Sequence, residues 1–457
     1  MQARQHKLTK ELGDAVVKAA LDASDPARAV ALEAPCWLPR AAGTLDEVVV
    51  IAAGKAAGSM VEGLLEALRG SALAALPVRG HVVTRHGAHL PLSLPPGLEA
   101  STAGHPTPDA AGVVAAQRAL DIASSAGAET LVIVLLSGGG SSLLVCPAPG
   151  ISLADAQDTN ALLLGCGASI DEVNCVRKHT SRIAGGRLGL AARGAAQVIS
   201  LALSDVVGDR ADVIASGPTV ADPTTYADAL DVLRRYGVRD RLPTAVLALL
   251  EAGALGASGA FPESPKACMR NAEFHLVGGN SSALEAVAAA LEAEPFGLRS
   301  HVLTNALQGE AREVARVLAS ILYGVAGPER RRAPFRRPCA LIFGGETTVS
   351  LPPDCVGRGG RNQELALAVA VAMQAAAGPE PRSWTCIALG TDGSDGPTDA
   401  AGAVSTERTV AQGLSRGADA RDYLARHDSY NFFIEGGLLI TGPSGTNVGD
   451  LTVLVAH

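Results

Sequence analysis

LVIVLLSGGGSSLL, Leu131 to Leu144, joins an uninterrupted apolar run to three glycines and paired serines. Val132 to Leu136 carries no polar side chain, which fits a strand covered on both faces, as in a parallel sheet between helices. Ser137 to Ser142 then offers backbone N–H groups with almost no side-chain bulk. A phosphate or carboxylate can therefore approach the main chain closely. A tight structural turn is the alternative reading of such a glycine cluster.

Upstream, the apolar strand Val48 to Ala52 runs into the turn AAGKAAGS, which opens a helix through Leu68, after a helical N-terminal segment that reaches about Leu32. Gly80 to Arg85 reads as another strand, and Asp109 can cap a helix ending near Ser125. Downstream, Ser152 with Asp155 and Ser169 with Glu172 have capping-box spacing, so two helices are expected there. Gln197 to Leu203 is the next strand, and it ends in a long acidic loop carrying Asp205, Asp209 and Asp212. Strands alternating with helices predict an α/β fold with a doubly wound, largely parallel sheet whose sites lie at the strand C-termini.

Helices are expected over Tyr226 to Tyr236 and Thr244 to Ala252, and the Gly, Ser and Pro content of Gly253 to Pro265 marks a boundary. The reading is of two domains, 1–255 and 266–457. In the second, Phe274 to Val277 and Ser300 to Leu303 each lead into helices, the latter from Gly309. Cys339 to Phe343 and Thr347 to Leu351 flank Gly344-Gly345-Glu346 as a hairpin. A helix over Asn362 to Gln374 and strands at Thr385 to Leu389 and Leu451 to Val455 follow.

The chain has 457 residues, more than one core usually serves, and 47% of them are hydrophobic against 18% charged, which places it among compact globular proteins. A net charge of −8 and only 3% aromatics argue against nucleic acid as a partner. The arginine-rich Pro328 to Pro338 is read as a solvated loop. No apolar run is long enough to span a membrane, no signal core opens the chain, and eight scattered cysteines lack C-x-x-C spacing. A cytoplasmic protein is expected, with a homodimer left open.

Glycine-rich turns recur at strand ends with polar groups attached, which asks for a phosphate-rich ligand. Yet Gly54-Lys55 is not a Walker-A loop, because Val49 stands where its first glycine belongs and Ala56 where Ser or Thr is needed. No G-x-G-x-x-G with dinucleotide spacing and no G-x-S-x-G is present. Lys55, at a strand end, can reach a transferring phosphoryl group, or else is an ordinary solvated lysine. Arg358 and Arg361 flank Gly359-Gly360 before a helix and can converge on an anion, or pair with a local carboxylate such as Glu364. Asp205 and Asp392 are candidate magnesium ligands and Asp395 a candidate base, although aspartate is also good turn chemistry. Ser137, Gly138, Gly139, Gly140 and Ser141, with Gly279 and Asn280, are the candidate nucleotide-binding positions. His81, His86 and His89 share no face of one element, so a metal site is not expected there. His105, in GHPTPD, is a stronger candidate, although a turn after a strand explains it too.

Together, AAGKAAGSM (Ala52–Met60), GHPTPD (Gly104–Asp109), LLSGGGSSLL (Leu135–Leu144), VRKHTSRIAGGRL (Val176–Leu188), LSDVVGDRADVIASGPT (Leu203–Thr219), GGETTV (Gly344–Val349), GRGGRNQELAL (Gly357–Leu367), GTDGSDGPTDAAGA (Gly390–Ala403) and TGPSGTNV (Thr441–Val448) resemble the class II glycerate kinases. The resemblance implies two three-layer α/β/α domains: an N-terminal Rossmann-like glycerate kinase domain and a C-terminal mixed-sheet domain of the MOFRL kind, with the active site in the cleft between them. It implies ATP-dependent phosphorylation of D-glycerate, usually at the 2-hydroxyl, with Mg²⁺ as cofactor. Lys55 and Arg361 are carried over as catalytic residues. The alternatives are an NAD(P)H-dependent hydroxypyruvate reductase, which acts on the same carbon skeleton, and a non-catalytic hydroxy-acid-binding protein.

Overall fold

A computed structural model describes residues 2–40, 42–88, 90–91, 93–257, 261–327, 334–376 and 382–457. His89 and the first part of the arginine-rich segment, 328–333, lie outside the described residues.

The first sheet is built from β1 (Glu47–Ala53), β2 (Val78–Arg85), β3 (Leu98–Ala103), β4 (Thr130–Leu136), β5 (Gln197–Leu203) and β6 (Ala272–Gly278), in the order β3-β2-β1-β4-β5-β6. Every register from β3 across to β5 is parallel. All seven residues of β4 are buried, as a strand covered on both faces must be. On one face, Ala115 and Ala119 of the helix Ala110–Ser124 join Val49, Ile51, Val132 and Val134 in one apolar cluster. The helix Ala57–Arg69 contacts β1, β2 and β4. The expected caps form: Asp109 accepts from the Gly112 N–H, and Ser152/Asp155 and Ser169/Glu172 are complete capping boxes. A third, at Thr225 and Asp228, opens the helix Tyr226–Arg235.

The second sheet comprises β7 (Arg299–Glu310), β8 (Cys339–Thr348), β9 (Trp384–Gly390), β10 (Gly402–Thr406), β11 (Leu438–Leu439) and β12 (Asp450–Ala456), in the order β11-β10-β9-β12-β8-β7. It is mixed: β7 pairs parallel with β8, and the remaining pairs are antiparallel. The helix Arg361–Ala375 is buried along most of its length, so its apolar residues run round the helix rather than along one stripe. It packs with the helix Ala311–Ala326 over Leu341, Phe343, Cys386 and Leu454.

Four expectations are corrected. Gly344 and Gly345 do not turn a hairpin; they lie inside β8, where the Asn280 side chain presses on Gly344 and the Leu307 backbone on Gly345, leaving no room for a Cβ at either. β7 runs to Glu310, well past Leu303, with register shifts along its pairing to β8. Phe274 to Val277 does not begin the second domain but lies in the sixth strand of the first sheet, where the Val198 N–H donates to the Asn271 carbonyl at 2.7 Å. The boundary also moves: the chain divides into one compact unit of Pro26–Val277 and another of Met1–Asp25 with Gly278–His457.

Both shifts have local causes. The segment read as a linker is tied back into the first unit, because Tyr226 donates to the Phe261 carbonyl, His179 pairs with Glu263, and Ser264 donates to Asp222. The N-terminal helix Gln2–Ala23 buries Leu12, Val16 and Ala20 and contacts the helix Asn280–Glu292, while Thr446 donates to the Ser24 carbonyl at 2.6 Å. Among the described residues no helix is long and apolar enough to cross a membrane.

Asn280 ties the start of β12 in place: its buried amide donates to the carbonyls of Val448 and Asp450, both at 3.0 Å. Asn280→Ala strips both bonds from a buried site. It is expected to lower unfolding stability by about 2 kcal/mol, measured as a shift of the denaturant midpoint.

Candidate active site

In the first unit, the turns after β1 and β4 interlock. The Ser137 N–H donates to the Ala53 carbonyl at 3.0 Å, the Lys55 N–H to the Gly138 carbonyl at 2.9 Å, and the Ala56 N–H to the Ser137 hydroxyl at 3.1 Å. Gly54, at φ +139°, touches Ser137 so closely that any Cβ would collide with its hydroxyl. These bonds fix the exposed Lys55 beside the SGGG turn.

Each glycine of that turn faces a different neighbour. A Cβ on Gly138 would strike the Asp205 carboxylate, one on Gly139 would lie 2.6 Å from the His105 ring, and one on Gly140 would lie 2.8 Å from Ala215. The N–H groups of Gly140 and Ser142 are used inside the turn, on the carbonyls of Ser137 and Gly139. Those of Gly138 and Gly139 have no protein partner among the described residues. An anion can therefore meet two main-chain donors, with Lys55 alongside. Burial pushes the half-buried Asp205 above its ordinary pKa, against the pull of Lys55. Burial also lowers His105, helped by Lys55 and Arg85, so its imidazole is neutral at pH 7.

Ser141 shares a 2.8 Å hydrogen bond with Ser216. Nearby, the buried Lys178 pairs with Asp212 at 3.0 Å and Asp222 at 3.3 Å. That network anchors the loop carrying Asp205.

In the second unit, Arg361 opens the helix Arg361–Ala375. Its Nε and Nη2 donate to the two oxygens of Asp450 at 2.5 and 2.9 Å, and its Nη1 pairs with Glu346 at 2.8 Å. Glu364, the partner suggested by helical spacing, is instead paired with Arg312 and His427. Arg361 keeps part of its five-donor guanidinium for another acceptor. Burial works against its charge, but Asp450 and Glu346 hold its pKa above the ordinary arginine value. Burial raises Asp450 to about 6 despite the arginine.

Asp395 sits behind Gly360 and caps this helix from outside: Asn362 N–H donates to one oxygen at 3.1 Å and Gln363 N–H to the other at 2.8 Å. Burial raises its pKa to about 6, opposed by those two bonds. Asp392 is half-buried in the adjoining turn and accepts from the Ser394 N–H at 3.0 Å. Arg358 does not join Arg361 on an anion but lies over the Tyr430 ring, 4.2 Å from its centroid. Gly279 precedes Asn280, whose amide is committed to the β12 backbone as described above.

Two family models match the chain, one described as a domain of unknown function (DUF4147) over residues 13–251 and the other as the MOFRL family over residues 339–450. A protein named D-glycerate 2-kinase from Thermotoga maritima is 40% identical over 446 residues, covering 97% of each chain. The crystal structure of a glycerate kinase from Thermotoga maritima superposes with a TM-score of 0.83 at 38% identity, covering 99% of this chain and all of that one. The chain belongs to the class II glycerate kinase family. Within that family a different name also occurs: an Agrobacterium vitis protein, 42% identical over 442 residues and covering 96% of this chain and 93% of its own, is provisionally called a hydroxypyruvate reductase.

For this class II family member, sequence reasoning singled out Lys55, the SGGG turn, Asp205 and Arg361 but missed the Asp450 and Glu346 partners of Arg361. Both missed carboxylates lie in or beside quoted motifs, Glu346 in GGETTV and Asp450 just after TGPSGTNV. A glycine-rich motif bearing a single acid was the available signal.

Arg361→Ala leaves Asp450 buried without its counter-charge. Breaking a fully buried pair costs about 3–5 kcal/mol, and partial exposure of the guanidinium reduces the expected loss at pH 8 to about 2 kcal/mol. Asp450's folded pKa lies above the unfolded one, so the folded state binds the extra proton and stability falls as pH rises between them. The deficit of the variant should therefore shrink toward pH 4, read from denaturation curves at the two pH values.

Proposed function

We propose that the protein transfers the γ-phosphoryl group of ATP to the 2-hydroxyl of D-glycerate, giving 2-phosphoglycerate, in the cytoplasm. The observation that carries this reading is the anion seat of the first unit: the Gly138 and Gly139 N–H groups, without a protein partner among the described residues, with Lys55 beside them, in a chain that matches a named D-glycerate 2-kinase along nearly its whole length. Eight free cysteines suit a reducing compartment.

Lys55 and the glycine turn bind phosphate oxygens and offset charge that develops on the transferring group. Arg361 supplies a second fixed cation, kept charged by Asp450 and Glu346. Asp395, with both oxygens engaged by the helix start, is assigned to positioning Arg361 rather than to taking a proton. The neutral His105 against Gly139 is the better proton acceptor for the substrate hydroxyl. Asp205 is the carboxylate of the first unit proposed to hold Mg²⁺. Asp205 fits that role because it lies in the space a side chain on Gly138 would fill, next to the phosphate seat. The ion, when bound, neutralises phosphate oxygens, and it is commonly held by only one or two carboxylates.

Lys55→Ala and Arg361→Ala are each expected to lower kcat/KM for glycerate by about 100-fold or more in an ADP-release assay. Near-normal values would remove both residues from the mechanism. Phosphorus NMR of the product distinguishes 2- from 3-phosphoglycerate. For His105, kcat/KM should fall on the acid side as the imidazole protonates, below the ordinary histidine value of about 6.5. That acid limb should vanish in His105→Asn.

The hydroxypyruvate reductase reading has one structural observation in its favour. The order β3-β2-β1-β4-β5-β6 is that of dinucleotide-binding sheets. Against it, the turn after β1 is AGKAAG and lacks the dinucleotide glycine spacing. NADPH consumption with hydroxypyruvate, without ADP release on glycerate, would favour the reductase.

A further inference from the structure

Beside the SGGG turn, with Ser141 in its lining, lies a part-open pocket with a cavity volume of about 50 Å³. Its walls are largely apolar, with Leu144, Val145, Pro147, Ile183 and Pro218 among them, and a single guanidinium, that of Arg177, lines it. Arg177 Nε donates to the Asn160 side-chain oxygen at 2.7 Å, which fixes the plane of the fork. Its two terminal nitrogens have no protein partner, and no carboxylate pairs with it, among the described residues. Two other cations are compensated by carboxylates, Lys178 by two aspartates and Arg361 by Asp450 and Glu346, whereas Arg187 has the Pro262 carbonyl and the Phe261 ring.

A half-buried guanidinium without a counter-charge is poorly compensated, and burial lowers its pKa. The missing partner is an anion. One fork of two parallel N–H donors matches the two oxygens of a carboxylate. The apolar walls lower the local dielectric and strengthen that pairing while leaving space for a short carbon chain.

We propose that the Arg177 pocket is a binding site for the carboxylate of a small organic acid, held bidentately by the terminal nitrogens of Arg177. The inference goes beyond the kinase reading, because the carboxylate can belong to the phosphoryl acceptor itself or to a separate acid that binds beside it.

Calorimetric titration of the whole 457-residue chain with D-glycerate and with propionate, which lacks both hydroxyls, tests this. The expected result is that at least one acid binds and that Arg177→Met weakens it by at least tenfold, with partial recovery in Arg177→Lys. If the acceptor fills the pocket, propionate competes with glycerate, and Arg177→Met raises KM for glycerate at least tenfold with KM for ATP unchanged. If a separate acid fills it, propionate binds alongside glycerate and KM for glycerate stays put. Should Arg177→Met fail to fold by circular dichroism, Ala156→Met fills the same pocket from a half-exposed helical position and is expected to give the same loss. The proposal is overturned if neither acid binds the wild-type protein, or if binding is unchanged in the folded variants. Binding is read without turnover, so absence of ADP release would sink the kinase reading and leave this one standing.

Discussion

The contact between Gly54 and Ser137 is the constraint on which the first unit's chemistry depends. Neighbouring parallel strands stand about 4.8 Å apart, so two turns leaving β1 and β4 side by side would ordinarily be kept apart by their own side chains. With no Cβ at residue 54, the Ser137 hydroxyl can accept from Ala56 N–H, and the Lys55 N–H reaches the Gly138 carbonyl. Lysine and glycine turn thereby become one rigid object, although 81 residues separate Ala56 from Ser137. The same economy of side chains lets Asp205 and His105 close on the turn from two further loops.

The second unit achieves rigidity differently. Arg361 is held by charge rather than by close packing of backbone, and its helix is pinned at the first turn by Asp395. Two buried carboxylates with raised pKa values, Asp395 and Asp450, stand near one arginine whose charge they help to keep. Such a cluster carries a desolvation cost that a purely structural helix start would not need.

What could be read from the sequence was what is decided locally. β5 ends where its apolar run ends, and the serine caps at 152 and 169 form because hydroxyl and carboxylate lie three residues apart. β3 could not be read: LEASTA has neither alternation nor an apolar run, and it exists because β2 supplies its partner. Gly344-Gly345 read as a turn because glycine pairs usually are, whereas here the glycines make room for Asn280 and Leu307, which are remote in sequence. β6 had the right local pattern and the wrong expected sheet, since sheet membership depends on a pairing edge far along the chain. The site divides the same way. Lys55 and the SGGG turn are visible as residue types at strand ends, while the Asp450 partner of Arg361, 89 residues away, becomes visible only once β12 is placed.

The helix Gln2–Ala23 belongs with the last residues of the chain, and Ser24 meets Thr446 across 422 positions. Pro26–Val277 is contiguous and has its own sheet, so it can fold while the ribosome is still working. The leading helix cannot. At roughly 5–20 residues per second, its apolar stripe of Leu12, Val16 and Ala20 waits some tens of seconds for the surface it covers to be made. During translation, then, this helix emerges well before the surface that buries it, and its exposed stripe is the place where a chaperone would have something to hold.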